Sequence, residues 1–262
     1  MSKNLLQQVM GGQSPKNNGL DGLVEKINFG YIAKRGPKHQ QKKSFAPSTI
    51  AYGHGECPRY WYLAFEGGTF EDYADPFAGA NMTNGIKGHE RIQQAIKDAG
   101  IMIQDEFKIT YNDPPIFGYG DALVEWDGEE LLVEIKTAMQ EGFEYRKKTR
   151  KAKLGHLVQV LIYMKILKKA KAVILYENKN NHELLAIPVE VNDYYVKWVD
   201  QTFEWMRTVR KAWEDKKLPT KNYRSNSKIC KTCPLRAVCD QAGEGQIKIN
   251  SLEPIDEALS MV

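Results

Sequence analysis

Two apolar stretches, residues 117–126 and 129–137, are separated only by Asp127-Gly128. That dipeptide accepts the left-handed backbone that both positions of a type I′ turn require, and between aliphatic and β-branched runs it is a strong short-range hairpin signal. A two-residue turn fixes the register. Trp126 then faces Glu129, Val124 faces Leu131, Ala122 faces Val133, and one further step sets Asp121 opposite Glu134. Directly paired side chains share a face of the sheet with Cβ atoms about 5 Å apart, and Lys136, two residues past Glu134, emerges on that face too. The hairpin therefore predicts a cluster of Asp121, Glu134 and Lys136.

Two ionised carboxylates about 5 Å apart repel by roughly 3 kcal/mol at an effective dielectric near 20, so the pair calls for a cation or a proton. A hard divalent ion such as Mg²⁺ or Mn²⁺ takes oxygen ligands, often only one or two of them protein carboxylates, and fills its shell with water and phosphate. Such an ion can generate a hydroxide nucleophile and shield a phosphodiester. Lys136 would orient the water or stabilise charge growing on the phosphorus centre. The competing reading is a solvent-facing hairpin with ordinary surface charges, since Glu125 and Glu130 pair nearer the turn.

Around the hairpin the chain predicts an amphipathic helix over 84–99, carrying Ile86, Ile92, Ile96 and Ala99 and ended by Gly100. A strand over about 106–111 precedes the hairpin. The apolar run 156–167 is too long for a typical strand and predicts a buried helix. Strands over 172–176 and 183–191, a long helix over 193–217 and a cysteine-bearing segment over 228–240 follow. This order is α/β with a mixed sheet flanked by helices. Residues 1–45 form a polar lead-in with room for one short helix, 46–241 the main domain and 242–262 a tail.

Gly120-Asp121 followed by Glu134-Ile135-Lys136 resembles the split Asp and Glu-x-Lys signature of the PD-(D/E)XK nuclease superfamily. Gln159 and Tyr163, spaced i, i+4 on one helical face, resemble the Gln-x-x-x-Tyr motif of its RecB-like branch. The resemblance implies a restriction-endonuclease-like fold, catalytic roles for Asp121, Glu134, Lys136, Gln159 and Tyr163, and a Mg²⁺ or Mn²⁺ shell of His89, Asp121, Glu134 and Ile135. Without it, His89 reads as a hydrogen-bonded core histidine, three residues from both Ile86 and Ile92, and Gln159 and Tyr163 as polar intrusions on a core helix.

The four cysteines form one pattern: Cys57 alone, then Cys230, Cys233 and Cys239 close together. In a reducing compartment this set reads as metal ligands rather than disulfides, and four thiolates can hold zinc or an iron-sulfur cluster. A distant cysteine joined to a compact trio, with proline after Cys57 and Cys233, resembles the iron-sulfur exonucleases related to the CRISPR-associated RecB-like nucleases and the AddB nuclease domain. That resemblance covers about 48–240 and implies a 4Fe-4S cluster, with zinc as the alternative occupant, clasping the two ends of the domain.

The formal charge of +4 is too small to establish a nucleic-acid partner, but its distribution is uneven. Residues 145–171 hold ten Lys or Arg and no acid. Lys147, Lys148, Arg150 and Lys151 could neutralise phosphates, or form a solvated face. Arg59 and Tyr60, beside Cys57, suit stacking on single-stranded DNA or covering the cluster. No run is long and apolar enough for a membrane span, and residues 1–13 lack a signal-peptide core, so a cytoplasmic location is expected. The resemblance implies a DNA exonuclease, on single strands and 5′ to 3′. A non-catalytic, metal-clasped nucleic-acid binder and a CRISPR spacer-trimming nuclease are the alternatives. A homo-oligomer and recombination or CRISPR partner proteins stay open.

Overall fold

The structure, a computed structural model, describes residues 20–50, 53–72 and 75–256. Residues 1–19 of the expected lead-in and the end of the expected tail therefore lie outside the described residues. The chain divides into two compact units, residues 1–35 with 74–83, and the rest.

In the smaller unit, α1 (Asp21–Ile32) has no buried residue. It is longer than the short helix expected there. The first turns of a later helix belong to the same unit: Gly79 lies so close to Tyr31 that a Cβ would stand 2.9 Å from its carbonyl oxygen, and Arg35 reaches Met82.

The larger unit begins with β1 (Lys38–His39), α2 (Pro47–Ile50), α3 (Pro58–Phe65) and β2 (Thr69–Phe70), with β1 and β2 paired antiparallel. Next in the chain is α4 (Pro76–Asp98), whose residues up to 83 belong to the smaller unit and the rest to the larger, and which starts earlier than the expected 84. Its start is capped: Ala78 N–H donates to Asp75 Oδ1, and Pro76 sits in the first turn, where its missing N–H is not needed. Ile86, expected on the inner stripe, is 59% exposed, whereas Ile92 is buried.

Five strands form the main sheet in chain order: β3 (Met102–Tyr111), β4 (Ile116–Trp126), β5 (Glu129–Ala138), β6 (Lys171–Asn178) and β7 (Leu184–Glu190). All neighbours are antiparallel except β5 and β6. β3 begins four residues before the expected start, because a register shift between Met102 and Gln104 and a positive φ at Glu106 interrupt the alternation that marks a strand.

The parallel step needs a crossover, which carries α5 (Gln140–Thr149) and α6 (Leu154–Leu167). Leu157–Met164 of α6 are all buried, as α6 lies against β3 and β6 on one side and α7 (Asp193–Glu214) on the other. That double cover explains why α6 is apolar all round. On the opposite face, Ile92 of α4 packs with Ala122, Val124, Val133 and Ile135. The result is an α/β fold with a mixed sheet between helices. Two short helices, α8 (Lys228–Lys231) and α9 (Arg236–Gln241), carry the cysteine trio back toward α3.

Candidate active site and cysteine pocket

β4 and β5 pair in the register that the turn dictates: Trp126 with Glu129, Val124 with Leu131 and Ala122 with Val133. Asp127 and Gly128 have φ of 52° and 78°, both left-handed as a type I′ turn requires. The ladder then stops. The next hydrogen-bonded pair would join Gly120 to Ile135, but Ile135 N–H donates to Asp121 Oδ2 at 2.7 Å. The Asp121 carboxylate thus fills the place where the strands part.

Glu134 stands on the same face and is 1% exposed, so the hairpin is not solvent-facing there. Its Oε1 accepts from Gln159 Nε2 at 2.7 Å and from Lys136 Nζ at 2.5 Å. Its Oε2 is buried with no hydrogen-bond partner. Leaving a carboxylate oxygen unsatisfied in the interior is costly, and such an atom calls for a proton or a cation. Burial first, then repulsion from Asp121, pushes the Glu134 carboxyl up to about 7 against the pull of Lys136. For Lys136, burial opposes the charge, but Glu134 and Asp121 outweigh it and hold the ammonium above the ordinary lysine value.

His89 reaches the cluster from α4, with Nδ1 3.5 Å from Asp121 Oδ1. Burial disfavours its charge, yet the hydrogen bond and charge of Asp121 prevail and raise its pKa. Gly88 makes this approach possible, since a Cβ there would lie 2.9 Å from Thr137 Cγ2 on β5. From α6, Gln159 Nε2 also approaches Tyr163 Oη at 3.4 Å, and the Tyr163 ring lies against Gly118. The structure thus brings together all of His89, Asp121, Glu134, Lys136, Gln159 and Tyr163, with the Ile135 backbone bound to Asp121.

Several supporting residues were not singled out from the sequence. Gln93 donates to the Asp121 carbonyl at 2.8 Å and to Glu106 at 3.2 Å, fixing the strand behind the carboxylate. Glu177, buried, holds Arg91 of α4 and approaches His182 at 3.1 Å. A lone acid ending the apolar run of β6 was its available signal. Tyr176, paired with Lys136 across the parallel step, receives a hydrogen bond from Lys153 N–H at 3.0 Å and contacts His156 Nδ1 at 2.8 Å. Burial holds the His156 imidazole down to about 3, hence neutral.

The basic run divides. Arg150 and Lys151 line a groove of about 800 Å³ with Tyr145, Arg146 and Lys153. Lys147 instead pairs with Glu183 at the surface. Arg146 turns inward onto the Tyr176 ring, 5.1 Å from its centre, so Tyr176 links the groove to Lys136.

Cys57, Cys230, Cys233 and Cys239 are unbridged, half-buried and line one pocket. Burial pushes the Cys57 thiol up to about 11 and the Cys233 thiol up to about 12. Arg59 and Tyr60, expected to meet DNA, are 1% and 4% exposed. They are corrected to interior residues: the segment over 219–243 folds back over α3, and the Arg59 guanidinium donates to its carbonyls at Pro219, Cys239 and Gly243. Among the described residues, no three His, Cys, Asp or Glu side chains stand at the mutual distances of a formed metal site.

Residues 116–240 match the profile of the PD-(D/E)XK nuclease superfamily. Two solved structures share the fold, both of an alkaline exonuclease, LHK-Exo, from Laribacter hongkongensis. One, with dAMP bound, has 14% identity and a TM-score of 0.52 over 73% of this chain and 93% of its own. The other has 14% identity and a TM-score of 0.51 over 73% and 95%. No curated protein sequence matches the chain. Together the profile and the fold support a nuclease.

Proposed function

We propose that this chain is a divalent-metal-dependent DNA exonuclease that works at the Asp121–Glu134 cluster. The buried Glu134 Oε2 carries the reading, because it has no hydrogen-bond partner in the protein and its carboxyl lies near enough to Asp121 to feel that charge. Two carboxylates with an imidazole at their edge suit Mg²⁺ or Mn²⁺, which accept few protein ligands, and the His89 nitrogen favours Mn²⁺ the more. The Ile135 carbonyl is proposed as a further ligand. When bound there, the cation supplies an activated water and shields the phosphate.

The chain's own residues set the geometry. Gln159 and Lys136 both occupy Glu134 Oε1, which leaves Oε2 as the donor atom. Lys136 keeps its proton at neutral pH and presents an ammonium to the attacking oxygen or to charge developing on the phosphate. Tyr163, one turn along α6, accepts from Gln159 Nε2 and helps hold that side chain in place.

DNA as the substrate is supported by the groove of Arg150, Lys151 and Lys153, where Tyr145, 60% exposed, offers a face for an unpaired base. The exonuclease of similar fold that was solved with dAMP points the same way. Action from 5′ to 3′ rests on the RecB-like resemblance. The four cysteines are read as holding a metal group, an iron-sulfur cluster before zinc, because thiols from both sides of the sheet in sequence meet in one pocket. Purified protein given end-labelled single-stranded DNA should release labelled nucleotides with Mg²⁺ or Mn²⁺ and none in EDTA. Binding without cleavage under every cation would show a non-catalytic DNA-binding protein instead.

A further inference from the structure

Arg59 lies in the first turn of α3, two residues after Cys57, and is 1% exposed. A guanidinium stays charged at any pH a fold survives, so burying one demands compensation. Its hydrogen bonds go to Pro219 O at 2.8 Å, Gly243 O at 2.5 Å, Cys239 O at 3.2 Å and Cys239 Sγ at 3.2 Å. Carbonyl dipoles solvate the group without neutralising it. Among the ion pairs of the described residues none includes Arg59, and Asp240, next to Cys239, goes to Lys221 and Arg236. The negative charge within its reach is sulfur.

We propose that Arg59 is the counter-cation of the four-cysteine centre: it offsets the excess negative charge of a thiolate-bound metal group and hydrogen-bonds Cys239 Sγ. This rests on the reading of the four cysteines as metal ligands. Four thiolates around a dication, whether zinc or a cluster core, leave two negative charges in excess, and a buried excess of that kind is stabilised by an adjacent fixed cation. The fork is held rigidly, because its other donors are bound to carbonyls of the same C-terminal segment that supplies the cysteine trio. One side chain thus couples charge balance to the closure of that segment.

The test uses the full chain purified anaerobically, first assayed for iron, acid-labile sulfide and zinc. Arg59→Gln removes the charge and Arg59→Lys keeps it. Release to a chelator should be about tenfold or more faster in Arg59→Gln, the usual effect of losing a partner that supports a metal ligand, while Arg59→Lys retains the metal like the parent. If the centre is a cluster, its reduction potential should fall in Arg59→Gln, since loss of a positive charge disfavours the added electron, and stay near the parent value in Arg59→Lys. Parent-like release and potential in Arg59→Gln would overturn the proposal. So would an Arg59→Lys protein that loses metal, which would show that the fork to the carbonyls matters and not the charge. That second comparison decides the matter alone if Arg59→Gln does not fold. A parent protein without stoichiometric metal overturns the metal reading itself, before any substitution is made.

Discussion

Glu134→Gln separates a poised metal ligand from a structural ion-pair partner. In the fold the Glu134 carboxyl is pushed up from 4.5 to about 7, and that value already includes the attraction of Lys136. The unfolded chain therefore gives up this proton first, and the cost to stability appears as pH rises through the ordinary carboxyl value and is complete above about pH 7. Such a displacement corresponds to about 3 kcal/mol. Gln is nearly isosteric and mimics the protonated acid beside a charged Lys136. In EDTA at pH 8, Glu134→Gln should therefore be more stable than the parent, by up to about 3 kcal/mol or roughly 6–12 °C for a domain of this size. The two proteins should converge toward pH 5. Adding Mn²⁺ should raise the melting temperature of the parent but not of the variant, whose cleavage activity is abolished. Thermal melts from pH 5 to 9, with and without cation, measure all of this. A variant that melts below the parent in EDTA at pH 8 would refute the reasoning, because Glu134 would then serve Lys136 rather than an absent cation.

Three further outcomes are expected. Replacing Arg150 and Lys151 with Gln should weaken DNA binding and reduce the slope of log affinity against log salt by about 1–2, whereas replacing Lys147 and Lys148 should change it less, because they do not line the groove. Titrations of binding at several salt concentrations separate the two pairs. Gly118→Ala would put a Cβ 2.4 Å from Tyr163 Oη, so the ring must move, at a cost of about 1–3 kcal/mol in urea unfolding together with a loss of cleavage. Parent-like values of both would show that the close approach is unimportant. Cys57→Ser should lose bound metal and melt at a lower temperature, and a variant with full metal content would exclude Cys57 as a ligand.

The hairpin was legible because its information is local: Asp127-Gly128 sets the register, and the register sets which side chains meet. The succession of helices and strands along the chain followed from lengths and apolar runs for the same reason. The local rules do not reach side-chain direction outside regular alternation. Arg59 beside Tyr60 and Trp61 has the composition of a DNA-stacking surface, and only contacts 160 to 184 residues away in sequence turn it inward. The early start of α4 was written in Asp75-Pro76, a cap followed by a first-turn proline, but the weak helix formers that follow, Gly79, Asn81 and Thr83, hid it. The hold of Gln93 on Asp121 was invisible because it acts on a backbone carbonyl, which every residue has.

The cysteine pocket also sets an order of events during synthesis. Cys57 leaves the ribosome 182 residues before Cys239, which at about 5–20 residues per second is roughly 10–40 s. Throughout that interval the hairpin and α6 can assemble, while the lone thiol waits for partners that have not yet been made. On the proposed reading of the four cysteines as metal ligands, Cys57 must stay reduced during this wait, because an oxidised thiol could no longer join the trio. The residues of the carboxylate cluster are thus complete in sequence before the pocket that closes the domain, and on that reading metal loading belongs to the last stage of folding.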